Sequence, residues 1–197
     1  MARSAGNRYK TWLTFFGGTV KQLYRKQVLP IGLDEAWTFF SRPENLSDMT
    51  PPWLKFRIVS QLPEEMYQGM IIEYRITLPP GIPTTWVTEI TQVREKCFFV
   101  DEQRLGPYRF WHHQHHVREV EGGVLAEDIV HYQVPFGILG EGLAGWYIDR
   151  MLVRIFDFRS EYLKTQAFAD GSKNPAGKGR ASMQSATLER LESKTQI

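Results

Sequence analysis

Between Phe56 and Val134 the chain is cut into strand-length pieces by turn residues, and this constrains its fold more than any other feature. The pieces are FRIVSQL, GMIIEYRITL, TTWVTEITQV, CFFVDEQ, RFWHHQHHV and GVLAEDIVHYQV. Pro63, Gly69, the PPGIP run at 79–83, Arg94 to Lys96, Gly106-Pro107 and Gly122-Gly123 separate them. Strand signals recurring about every ten residues predict an antiparallel meander. The alternation is one-sided: in GMIIEYRI, Ile72, Tyr74 and Ile76 share one face, and Glu73 and Arg75 the other. A sheet with one apolar face needs a cover.

Residues 142–164 (GLAGWYIDRMLVRIFDFRSEYLK) supply it as one long helix. Ile148, Leu152, Ile155 and Arg159 fall at helical spacing, as do Tyr147, Met151 and Phe158. Asp149, Arg150, Arg154 and Asp157 are assigned to the wet side. Ahead of the meander, TVKQLYRKQVL reads as a first strand. Asp34 is a candidate N-cap for a short helix carrying Trp37 and Phe40, Arg42-Pro43 ends it, and Glu44 to Asp48 allows a second turn before Pro51-Pro52. The fold class is therefore α+β: about seven antiparallel strands, two short helices after the first strand, and a long C-terminal helix.

Four of the five histidines crowd into FWHHQHH. A two-residue turn at Glu121-Gly122 would make Val120 face Gly123; a four-residue loop would shift the partners by two but keep the faces, and a three-residue loop with a bulge would blur them. In the two-residue register His115 faces Asp128, His113 faces Val130, and Trp111 faces Tyr132. That face is largely apolar. The opposite face carries His112, Gln114, His116 and Arg118 and reads as solvent-facing. A buried imidazole or carboxylate without a partner costs roughly 1–3 kcal/mol. A His–Asp pair beneath the helix is accordingly expected from His113, His115 and Asp128. A zinc site needs three or four ligands, and His-x-His with Asp128 is the whole candidate set, so no metal and no cofactor is expected. Acid–base chemistry by the same cluster stays open, as does a purely structural network. Signatures such as GxSxG, the phosphate-binding loop, GxGxxG and HExxH do not occur.

The remaining composition bounds the partners. The 197 residues are 42% hydrophobic with a formal charge of +2, enough for one core and too little field to suggest nucleic acid. The single cysteine, Cys97, excludes an internal disulfide and reads as a buried small hydrophobe. Six basic residues precede the first acidic one, Asp34. The leader, 1–19, is thus a segment packed on the domain, a transit peptide, or an amphipathic stretch in transient contact with a membrane surface. Residues 169–197, poor in aromatics, read as a disordered tail. The predicted domain is 20–168. A cytoplasmic setting is expected, or an organelle if the leader is a transit peptide.

Local wording goes further. SRPENLSDMTPPWLKFRI, GMIIEYRI, PTTWVTEI, FVDEQRLGPYRFWHHQH, LAEDIVHYQVPFGILG and IFDFRSEYL resemble the SRPBCC ligand-binding superfamily, which contains START-type lipid-transfer domains and plant pollen-allergen proteins. The likeness runs from about Val20 to Lys164. It is greatest to the small bacterial-type group that also occurs beside epimerase-like cell-division-inhibitor homologues. The sequence departs from that pattern at His116-Val117, where an aromatic is usual. The resemblance implies the helix-grip fold, in which the curved sheet wraps around the C-terminal helix, with a deep apolar cavity between them.

On that footing the expected function is binding or carriage of a small hydrophobic molecule: a lipid, a sterol or a polyketide-like compound. The expected walls are Trp53, Phe56, Ile72, Tyr74, Ile76, Trp86, Trp111, Val130 and Tyr132, with Tyr147, Met151 and Ile155 from the helix. His113, His115 and Asp128 are expected to orient the ligand's polar end. The alternative is a cyclase, dehydratase or hydrolase using His113 or His115 as base and Asp128 as orienter.

Overall fold

The computed structural model describes residues 10–12 and 19–168. The rest of the leader and the 169–197 tail lie outside the described residues. The element order is β1 (Lys10–Trp12), β2 (Val20–Leu29), α1 (Leu33–Phe40), α2 (Glu44–Asp48), a 3-10 turn at Pro52–Leu54, β3 (Arg57–Ile58), β4 (Ile71–Leu78), β5 (Ile82–Arg94), β6 (Phe98–Leu105), β7 (Phe110–Val120), β8 (Gly123–Gln133), α3 (Gly137–Gly140) and α4 (Trp146–Tyr162).

All strands join one antiparallel sheet in the order β1-β2-β8-β7-β6-β5-β4-β3. From Val20 onward the sheet has seven strands, and Lys10–Trp12 of the leader adds β1 by pairing with Val20–Gln22. The last five strands, β4 to β8, are joined by consecutive hairpins. The first long strand, β2, closes against the last, β8, and leads into α1 and α2.

Three local readings are corrected. FRIVSQL forms a ladder only at Arg57–Ile58. Beyond it the Val59 N–H still donates to the Glu73 carbonyl at 2.8 Å, but the Glu73 N–H goes to Ser60 Oγ at 2.6 Å, so a side chain takes half of the next rung. Asp34 is not a cap: α1 starts at Leu33 after Gly32, and Asp34 in its first turn pairs with Lys96 at 2.8 Å. The C-terminal helix begins five residues early, at Gly137, and runs through π-type turns at Glu141–Gly145 and Leu163–Ala167. The chain enters it through positive φ at Phe136 (65°) and Gly137 (56°). Cys97 is half-buried in the β5–β6 turn.

The core is layered along the helix. At one end Leu29, Ala36, Phe39, Val124, Leu163 and Phe168 pack together. In the middle α4 rests directly on β2, β7 and β8 through Leu23, Val130, Tyr132, Leu152 and Phe156. A third cluster, Met70, Ile72, Tyr74, Ile90 and Phe99, lies on the far strands. Asp149, assigned above to the wet side, turns inward instead. It pairs with Lys21 at 2.8 Å and accepts the Tyr132 hydroxyl at 2.8 Å. Among the described residues no helix is long and apolar enough to cross a membrane.

Gly123 fixes where β8 begins. Its φ is +137°, and a Cβ there would lie 2.0 Å from the Leu29 carbonyl oxygen. Gly123→Ala should therefore lower unfolding free energy by about 2–4 kcal/mol in urea titration. Gly142→Ala, with nothing within 4 Å and an ordinary φ, should change it by less than about 0.5 kcal/mol.

Candidate functional site

The β7–β8 register is the one read from a two-residue turn at Glu121-Gly122: His115 opposes Asp128, His113 opposes Val130, and Trp111 opposes Tyr132. On the other flank of β7, Asp101 of β6 opposes His113. Asp101, His113, His115 and Asp128 consequently lie on a diagonal across three strands, on the face beneath α4.

The two imidazoles bridge the two carboxylates. His113 donates from Nε2 to Asp128 Oδ1 at 2.9 Å, and its Nδ1 lies 3.3 Å from Asp101 Oδ2. His115 donates from Nε2 to Asp101 Oδ2 at 2.8 Å, and its Nδ1 lies 3.1 Å from Asp128 Oδ1. Asp101 Oδ1 accepts the Trp111 indole N–H at 3.3 Å. Aromatic rings fix the imidazoles: Phe99 stacks on His115 at 4.1 Å, and Phe156 meets His113 edge-on at 5.6 Å. Arg159 of α4, whose guanidinium lies over Phe156, reaches within 3.8 Å of Asp128 Oδ1.

The groups set each other's charge. Burial alone would push both carboxyls up. The facing imidazoles outweigh it and hold Asp101 and Asp128 well below the ordinary carboxylate range. Burial alone would push His113 down, but Asp101 and then Asp128 favour its cation, and the net shift is upward. The outer face of β7 is different. His112 donates to Glu102 at 2.8 Å, and Gln114 connects His112 with His116 at 3.1 Å on each side. These rings are half-buried and belong to a surface chain of hydrogen bonds.

Between sheet and helix lies a cavity of about 540 Å³. Eleven of the fifteen expected ligand-contacting residues line it: Phe56, Ile72, Tyr74, Ile76, Trp86, Trp111, His113, His115, Tyr147, Met151 and Ile155. Trp53, Asp128, Val130 and Tyr132 do not. Trp53 packs under the Arg154 guanidinium at 5.6 Å. Val130 and Tyr132 are fully buried where the helix sits directly on β8, leaving no hollow there. Asp128 stands behind the imidazoles. The wall also includes residues the sequence reading did not select: Asp101, Phe99, Tyr108, Phe156 and Arg159. Of these, Arg159 carried a signal, a cation at core spacing on the helix.

The cavity has an orientation. Ile82, Phe136 and Tyr147 line it although they are 57%, 85% and 42% exposed, so they mark a mouth with an apolar rim. Tyr147 and Arg159 are separated by about 18 Å of helix. Phe40, Leu46 and Met49 of the α1–α2 region close the other end, near the histidine–aspartate cluster.

No family model matches the sequence, and no curated protein matches it. Solved structures share its fold. The protein TTHA0849 from Thermus thermophilus superposes with a TM-score of 0.56 at 15% identity, covering 77% of this chain and 99% of its own. Ara h 8.0201 gives 0.53 at 12%, covering 75% and 99%. The di-domain ARO/CYC StfQ from the steffimycin biosynthetic pathway gives 0.58 at 16%, covering 76% of this chain and 50% of its own. These likenesses show a shared fold, the helix-grip arrangement expected above.

Two outcomes follow. His113→Ala removes one of the two imidazoles that bridge the buried carboxylates and should cost about 3–5 kcal/mol of unfolding free energy, against less than about 1 kcal/mol for His112→Ala on the outer face. Stability should also form a dome in pH. The depressed carboxylates contribute fully above about pH 4 and lose their contribution as pH falls. The raised His113 contributes fully below about pH 6.5 and loses its contribution as pH rises through its folded value. Urea titrations across this range should give a maximum between those limits, with the alkaline decline missing in His113→Gln.

Proposed function

We propose that the chain binds and carries a small hydrophobic molecule that enters past Phe136 and Tyr147 and lies along α4. The observation that carries this reading is the cavity itself, about 540 Å³ with mainly apolar walls and one polar cluster towards its inner end. That size suits a lipid-like or polyketide-like molecule, since drug-sized ligands occupy about 300–1,000 Å³. The apolar body would rest against Tyr74, Trp86, Met151 and Ile155. Its polar end would face His113, His115 and Arg159, with Asp128 holding the imidazoles from behind. A cytoplasmic location is part of the same reading, and membrane contact would serve to load or unload the ligand.

A second reading is acid–base catalysis on the bound molecule. It is favoured by the place of His113 and His115 in the cavity wall, each held by a carboxylate. The ARO/CYC protein with the same fold makes a cyclisation the first reaction to assay. Solvent extraction of the purified chain followed by mass spectrometry should recover a hydrophobic molecule at close to one per chain. Met151→Trp should fill the cavity and weaken uptake of a fluorescent fatty acid by about tenfold or more, with a melting temperature within about 4 °C of wild type. Unchanged uptake in that variant contradicts the carrier reading. Turnover of the extracted molecule by wild type, abolished in His113→Gln, decides for the enzyme.

A further inference from the structure

The cluster that bounds the polar part of the cavity also has the form of a metal centre. We propose that Asp101, His113 and His115 bind one divalent first-row transition-metal ion, with Asp128 orienting the two imidazoles and a coordination position open to the cavity.

The geometry begins with Asp101 Oδ2, which lies 2.8 Å from His115 Nε2 and 3.3 Å from His113 Nδ1. Two ligand atoms bound at about 2.0–2.1 Å around a tetrahedral ion stand about 3.3–3.4 Å apart. Ligand atoms of the three residues all fall within 4.8 Å of one another. Bringing them onto one ion requires side-chain rotations that close the widest of these gaps to about 3.4 Å.

The nitrogens on the other side of each ring meet a single oxygen. His113 Nε2 is 2.9 Å and His115 Nδ1 3.1 Å from Asp128 Oδ1. When both donate to that oxygen, the tautomers are set: the lone pairs fall on His113 Nδ1 and His115 Nε2, the two atoms that face Asp101. A carboxylate behind each metal-bound imidazole is the usual way a protein fixes such ligands. The two aspartates also divide between the roles by position. Asp101, His113 and His115 line the cavity, whereas Asp128 does not. Three ligands facing open space leave a place for water or for a ligand oxygen.

With both imidazoles uncharged, a dication offsets the charges of Asp101 and Asp128, and Arg159 beside Asp128 adds one positive charge. Two nitrogens and one carboxylate oxygen suit zinc, cobalt, nickel or ferrous iron better than magnesium or calcium. Counting ligands from the sequence gave His113, His115 and Asp128, with no further candidate. The structure supplies Asp101 from the neighbouring strand and moves Asp128 behind the rings. The inference stands apart from the carrier reading, because the ion is held whether or not an apolar molecule fills the cavity.

The test uses untagged full-length protein dialysed against a chelator. Titration with cobalt(II), followed by its visible absorption, and with zinc(II), followed by calorimetry, should show one ion per chain at micromolar affinity or tighter. His115→Ala should weaken binding by about 100-fold or more. Asp128→Asn should keep the stoichiometry and weaken binding by about 10–100-fold. Circular dichroism checks that each variant folds, and Asp101→Asn, nearly isosteric, replaces His115→Ala if the latter does not. Absence of saturable binding in wild type overturns the proposal. So does equal affinity in wild type and the folded His115 or Asp101 variant. Uptake of a fluorescent fatty acid by the same chelated protein is measured separately, so failure of the metal site and failure of the carrier reading give different results.

Discussion

The structure turns on two imidazoles held between two carboxylates across three adjacent strands. His113 and Asp101 would each be costly alone at this depth: His113 is 3% exposed, and Asp101 sits beneath an aromatic wall. Together they satisfy one another, and each imidazole spends both nitrogens on the network. The arrangement exists because β6, β7 and β8 keep one register, placing Asp101 opposite His113 and Asp128 opposite His115. A slip of one residue in either pairing would turn the partners to opposite faces. The network therefore ties polar chemistry to sheet register.

It also explains why the interior is hollow on one side. Over β8 and β2, apolar side chains of α4 meet the sheet directly, and Val130 and Tyr132 are fully buried there. Over β4, β5 and β6 the inward side chains border the cavity. The β5–β6 pairing there carries register shifts at Val87/Thr88 and Ile90/Gln92, which bend a strand locally. The aromatic residues on this side line space instead of filling it. Tyr74 illustrates the environment: burial, with a smaller contribution from Asp101, raises its hydroxyl far above the ordinary value, so it stays neutral. A mouth rimmed by Ile82, Phe136 and Tyr147 and polar chemistry deeper along α4 give the cavity a direction.

Much of this was legible because its signals were local. Read as a two-residue turn, Glu121-Gly122 set the β7–β8 register and hence the His115–Asp128 pairing. The one-sided alternation of GMIIEYRI put Ile72, Tyr74 and Ile76 on the cavity face, and helical spacing put Ile155 and Arg159 inward. Asp101 was missed because its place depends on the β6–β7 register. The intervening Gly106-Pro107 loop does not fix that register as a two-residue turn does. Asp149 was misplaced because a carboxylate on a helix reads as wet unless its partners are known, and Lys21 and Tyr132 come from strands far away in sequence. Val130 and Tyr132 point inward as read. Facing the interior does not distinguish contact with the helix from contact with a cavity, since that depends on sheet curvature.

Asp101 and Asp128 favour the protonated form of His113 and, without a metal ion, raise its pKa above the ordinary imidazole value. The most direct measurement is a side-chain nitrogen–proton NMR titration of the ¹⁵N-histidine-labelled, chelator-treated protein. More than half of His113 should be protonated on both ring nitrogens at pH 6.5, the ordinary imidazole midpoint, with N–H protons protected from solvent. A His113 that is neutral at pH 6 and exchanges freely with water would contradict it.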